Sequence, residues 1–173
     1  MKINLKIVVT FLIASIILIL FFLGLSNTNQ YNTKNLIGKK LSEFNLQNIT
    51  EESNISNIDL SKNEFTLINF WASWCSPCRK EHEFLLSLNR ESNLKILGIN
   101  FKDKKNNARN FLKELGNPYH LIAKDDDGSA SIIFGIYGIP ESILVNNNLR
   151  VLKKYIGPIN HKDYKEIISL IKN

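Results

Sequence analysis

Apolar and polar positions fall into two kinds of stretch along this chain. The first is a single run from Ile7 to Leu25 without a charged residue. An α-helix needs about 20 such residues to cross a hydrocarbon core about 30 Å thick. Its polar side chains, Thr10 and Ser15, can bond back to the helix backbone. A cleaved signal peptide has an apolar core of about 7–15 residues ending in an A-x-A-like site. This run is longer, and "FLGLSNT" holds no such site, so the pattern predicts an uncleaved anchor. Residues 26–35, "SNTNQYNTKN", are polar and aperiodic and read as a flexible tether.

From residue 36 onward the apolar runs are short and alternate in period. "LIGKKLSEFNLQNI" places Phe44 and Leu46 two apart, which predicts a short strand near 43–48. "EFTLINFW" (64–71) and "NLKILGINF" (93–101) are near-continuous apolar runs, the mark of strands covered on both faces. Between them a helix opens at Cys75, with Leu85 and Leu88 inward and Glu81 and Arg90 outward or at the rim. "NNARNFLKELG" predicts a helix whose buried face is Ala108, Phe111, Leu112 and Leu115, stopped by Gly116. "YHLIAKD" reads as a strand, and "DDDGSASIIFGIYG" as a turn with a short helix. "ESILVN" and "RVLKKYIG" form a hairpin across "NNN", whose asparagines tolerate the left-handed conformation. The final helix aligns Tyr164, Ile167, Ile168 and Ile171. Alternating strands and helices predict an α/β fold: parallel pairing first, then antiparallel strands, giving a mixed sheet with helices on both faces.

Charge adds the orientation. Lys2 and Lys6 precede the apolar run and no lysine or arginine follows it until Lys34. Positive residues stay inside, which divides the chain into a cytoplasmic end (1–6), a transmembrane anchor (7–25), a linker (26–35) and an extracytoplasmic domain (36–173). The net charge of +6 is scattered in short interrupted groups, with no basic stripe among aromatics, so no nucleic acid partner is expected.

The chemistry concentrates in "NFWASWCSPCRKEHEF" (69–84), which holds both cysteines of the chain. A Cys75–Cys78 staple would close almost no loop and stabilise little. His82 extends the pattern to C-x-x-C-x-x-x-H, but a structural zinc site fills four protein ligands and no second pair is evident, so no metal is expected. A buried strand running into C-x-x-C at a helix start reads instead as a redox pair. Cys75 falls at the helix N-cap, where free N–H groups and the helix dipole favour a thiolate. Cys78 is placed as the resolving thiol, and Pro77 suits the first turn because its missing N–H needs no partner there.

With "LINFWASWCSPC" and Ile139-Pro140 before a strand, the chain resembles the thioredoxin superfamily. "NFWASWCSPCRKEHEFL", "GINFKDKKNNARNFLKELGNPY", "FGIYGIPESILVN" and "GPIN" resemble more closely the membrane-anchored thiol:disulfide oxidoreductases of cytochrome c maturation, the CcmG (DsbE) type. The resemblance implies a thioredoxin-like fold and catalysis by Cys75 as nucleophile and Cys78 as resolving cysteine. It implies that Pro140 is a cis-proline facing the disulfide and that Ile139 offers its backbone to an incoming peptide. Trp74 would flank the motif, and Glu81 and Glu141 would be acidic residues near the thiols. Asn69 stands where ordinary thioredoxins carry a buried aspartate, which leaves Glu81 as the candidate proton acceptor for Cys78. The implied function is a protein-disulfide reductase in the periplasm, held to a bacterial inner membrane. Its implied partners are oxidised apocytochrome c, or the carrier of its thiols, and a membrane electron donor; no organic cofactor is implied. A general or sporulation-type thiol reductase, an oxidant, and a non-redox tethered binding module remain open as alternatives.

Overall fold

A computed structural model describes residues 5–26 and 36–172. Residues 1–4 of the expected cytoplasmic end and 27–35 of the expected linker lie outside the described residues. The apolar run forms helix α1, Leu5–Ser26, of which Lys6–Gly24 is long and apolar enough to cross a membrane. Thr10 donates its hydroxyl to the carbonyl of Lys6 at 2.9 Å, so this polar group is satisfied within the helix.

The second unit is built on a five-stranded mixed sheet. Strand β3 (Phe65–Trp71) is central, and β4 (Leu94–Phe101) pairs parallel to it. On its far side β4 pairs parallel with β5 (Leu121–Asp125). The other edge of β3 takes β6 (Glu141–Asn146) antiparallel, and β6 pairs antiparallel with β7 (Val151–Ile156). Side chains of β3 alternate strictly between the two faces. Leu67 and Trp71 join a core with helices α3 (Ser76–Leu88), α4 (Lys105–Leu115) and α6 (His161–Lys172). Ile68 and Phe70 join a second core on the opposite face.

That second face is closed by elements that the hydrophobic pattern showed only in part. Strands β1 (Asn45–Gln47) and β2 (Asn54–Ser56) form a small hairpin, followed by the one-turn helix α2 (Asn57–Ser61). Each contributes one or two apolar residues, too few to show a period, yet Ile55 and Leu60 are among the most buried side chains. Helix α5 (Ser129–Ile133) completes the cover with Ala130 and, just beyond its end, Phe134. Phe134 packs against Phe44 and Phe70 with centroids 5.2 and 5.4 Å away.

The β6–β7 hairpin corrects the expectation for its turn. The left-handed residue is Leu149 (φ 60°), not an asparagine. Asn146 instead accepts through its side chain from the N–H groups of Asn148 and Arg150, at 3.1 and 2.9 Å. Burial of the Leu149 side chain in the second core offsets the cost of its backbone.

Candidate active site

Strand β3 ends at Trp71, and its chain turns through residues 72–75 into α3. Cys75 is the N-cap in extended conformation, and its Sγ accepts from the backbone N–H of Cys78 at 3.2 Å. The two cysteines form a disulfide, S–S 2.03 Å. Only 3% of Cys75 and 2% of Cys78 is exposed, so both cysteines are almost wholly covered. The helix N-terminus supplies one N–H and a dipole to the Cys75 sulfur, which favours the thiolate after reduction.

The turn before the cysteines is clamped by the loop after β4. Asp103 accepts from the backbone N–H of Ser73 at 2.6 Å, from its hydroxyl at 2.9 Å, and from Asn100 Nδ2 at 3.2 Å. Trp74 Nε1 donates to the carbonyl of Lys102, a residue with φ 42°. Trp74, next to Cys75 in the chain, is nonetheless 58% exposed.

Beneath the cysteines lies a polar network inside the apolar core. Glu81 has no exposed surface, which overturns the expectation that it points outward or to the rim. Its Oε1 accepts from Asn69 Nδ2 at 2.8 Å and its Oε2 from the backbone N–H of Ile159, also at 2.8 Å. These two donors hold a carboxyl that has left water. Asn69 Nδ2 also donates to Ser142 Oγ at 3.0 Å, and Tyr119 donates its hydroxyl to Asn69 Oδ1 at 2.9 Å. That bond fixes the amide so that its NH₂ faces Glu81. Burial pushes the Glu81 pKa up to about 7, against the opposing pull of the Ile159 and Asn69 hydrogen bonds. Burial, with the Glu81 charge second, raises the Tyr119 hydroxyl well above its ordinary value. The carboxyl therefore changes charge near neutral pH one helical turn from Cys78, which suits it to hold and release a proton there.

The third part of the site is the segment between α5 and β6. The Ile139–Pro140 bond is cis. Glu141 pairs with Phe70 across the β3–β6 ladder, so Pro140 sits at the end of the sheet from which β3 leads into the cysteines. Residues 137–141 line a groove of about 340 Å³ with Ile156 and Gly157. Glu141 is itself buried, its carboxylate turned toward the backbone of this segment. His82 holds the Gly116 carbonyl with Nε2 at 2.9 Å and packs edge-on against Phe111. Among the described residues no three His, Cys, Asp or Glu side chains gather as a metal site. Sequence reasoning missed Tyr119, Ser142 and Asp103. Only the last carried any signal, as a lone acidic residue after a buried strand.

A family model for Redoxin matches residues 36–168. The chain is 49% identical over 105 residues to the thiol:disulfide interchange protein CycY of Rhizobium leguminosarum bv. viciae, spanning 61% of this chain and 56% of that one. It is 36% identical over 135 residues to the thiol:disulfide interchange protein DsbE of Escherichia coli K12, spanning 78% and 72%. The structure of a DsbF homologue from Corynebacterium diphtheriae superposes with a TM-score of 0.65 at 23% identity, covering 76% of this chain and 85% of the other. That likeness speaks for the fold.

Proposed function

The chain belongs to the Redoxin family, and on that premise we propose that it is a membrane-anchored, extracytoplasmic protein-disulfide reductase. Its named relatives are thiol:disulfide interchange proteins, and the C-x-x-C pair that such exchange requires stands at the N-terminus of α3. The observation that carries the reading is the Cys75–Cys78 disulfide above a buried Glu81 that changes charge near pH 7.

In the reduced protein the Cys75 thiolate attacks one sulfur of a substrate disulfide. The substrate S–S bond breaks, its second sulfur leaves as a thiolate, and a mixed disulfide joins substrate to Cys75. Cys78 then attacks the Cys75 sulfur, closing the internal disulfide and freeing the second substrate thiol. Two electrons pass to the substrate, and a membrane dithiol donor restores the pair. Glu81 takes the Cys78 proton as that thiol becomes the nucleophile. Ile139 offers its backbone to the substrate chain as a short strand-like pairing, with Pro140 and Trp74 shaping its approach. Helix α1 holds the domain to a bacterial inner membrane with the domain in the periplasm. The substrate is the oxidised C-x-x-C-H segment of an apocytochrome c, or the carrier of its thiols, whose free thiols then accept haem.

Trapping tests this reading. The Cys78→Ser variant, mixed with a peptide containing a disulfide-bonded C-x-x-C-H, is expected to accumulate a covalent adduct at Cys75. Absence of an adduct sinks the reading. A Cys78→Ser variant with full activity in cytochrome assembly would make the protein a tethered binding module.

A further inference from the structure

One buried ion pair takes no part in the mechanism above. Lys154 of β7 lies diagonally across from Glu141 of β6, on the face of the second core. Their side chains are 2% and 3% exposed, and Lys154 Nζ stands 2.9 Å from Glu141 Oε2. The approach is off the hydrogen-bonding direction, so charge rather than a directed bond holds that oxygen. A buried pair of this kind is weak evidence for stability, since apolar residues of similar size often serve as well. Its other contacts show what it does. Glu141 Oε1 accepts from the backbone N–H groups of Tyr137 and Gly138, at 3.1 and 3.2 Å. Lys154 Nζ donates to the carbonyl of Gly135 at 2.5 Å and lies 5.8 Å from the centroid of the Tyr137 ring. Every one of these contacts goes to residues 135–138, the segment that leads into Ile139-Pro140 and whose Tyr137 and Gly138 line the groove.

We propose that Lys154 is a positioning residue: through Glu141 and Gly135 it holds residues 135–140 in the shape that receives the chain around a substrate disulfide. The proposal rests on the reading of this site as a disulfide-exchange centre. Lys154 does not touch the cysteines or their proton acceptor, so its effect falls on recognition of an extended chain and not on the sulfur chemistry. Lys153 is its contrast: the neighbouring residue reaches outward to Glu166 at 2.6 Å and leaves the loop alone.

The test compares two substrates on the full-length protein in detergent. Reduced wild type and Lys154→Met react with a disulfide-bonded C-x-x-C-H peptide and with 2-hydroxyethyl disulfide, which is too small to use the groove. A displaced binding loop is expected to lower the peptide rate constant about tenfold or more, with the small-disulfide rate and the reduction potential unchanged. Equal losses for both substrates, or no loss for either, overturn the proposal. Should Lys154→Met not fold, the Glu141→Gln/Lys154→Met double variant, which buries no charge, replaces it. The same selective loss then supports the proposal. An unselective result, or a failure of the double variant to fold, assigns the pair to stability and overturns it. If the wild type reacts with neither disulfide, the exchange reading itself fails and takes this proposal with it.

Discussion

The buried carboxyl of Glu81 should make the stability of the oxidised protein fall as pH rises through neutrality. In the unfolded chain a glutamate titrates near 4.5, and in the folded protein Glu81 titrates near 7. Between those values the folded state holds a proton that the unfolded state has released, so stability is full below pH 4.5 and is lost as pH climbs to about 7. At about 1.36 kcal/mol per pH unit the separation gives a loss of about 3 kcal/mol. His82 and His120 act in the opposite sense, because burial lowers both. The comparison that isolates Glu81 is therefore wild type against Glu81→Gln, each unfolded by urea with the disulfide intact. Glutamine also presents an NH₂ to the donors of Asn69 or Ile159, which destabilises the variant at every pH; that constant offset leaves the slope untouched. Wild-type stability should fall by about 3 kcal/mol relative to the variant between pH 4 and pH 8. Parallel curves would refute the reasoning and show that Glu81 titrates like an exposed carboxyl.

Three further substitutions probe the parts around the cysteines. A Cβ added at Gly98 would stand 2.7 Å from Tyr119 Cδ1 and 2.8 Å from Trp71 Nε1, two stacked rings with nowhere to retreat. Gly98→Ala should cost about 1–3 kcal/mol of stability by urea unfolding, and an unchanged midpoint would show that the rings yield freely. Asp103→Ala strips three hydrogen bonds from the turn before Cys75 and from Asn100. It should cost about 1–3 kcal/mol, and no loss would mean that the Trp74–Lys102 bond alone holds the turn. Trp74→Ala removes a largely exposed ring and its hydrogen bond to Lys102, and should cost about 1 kcal/mol or less of stability while slowing reaction with a peptide disulfide. Equal peptide rates would exclude Trp74 from substrate contact.

The sheet was legible because its strands are apolar runs bounded by charged or turn residues, and strand and helix follow one another in the order a mixed sheet requires. The cysteines were legible because strand, C-x-x-C and helix are contiguous in sequence. Glu81 was placed on the right helix turn but on the wrong side of the surface. A carboxylate on a helix reads as solvent-facing, and its buried donors come from Asn69 on β3 and Ile159 before α6, far away in the chain. Tyr119 and Lys154 were illegible for the same reason, and Asp103 nearly so, a lone acidic residue after a buried strand: each gains its role from a partner on another element. The alternation of Phe44 and Leu46 showed β1, but β2 and α2 were hidden by brevity, since three to five residues cannot display a period.

A dithiol that gives electrons away must hold a low reduction potential, and that of the Cys75–Cys78 pair in the full-length protein is the value to measure. Equilibration against glutathione, read by alkylation of the free thiols, gives the value. The expected potential lies at or below about −200 mV, the range of dedicated reductants. A value near about −120 mV, where a strong oxidant sits, would contradict it and make the protein a donor of disulfides.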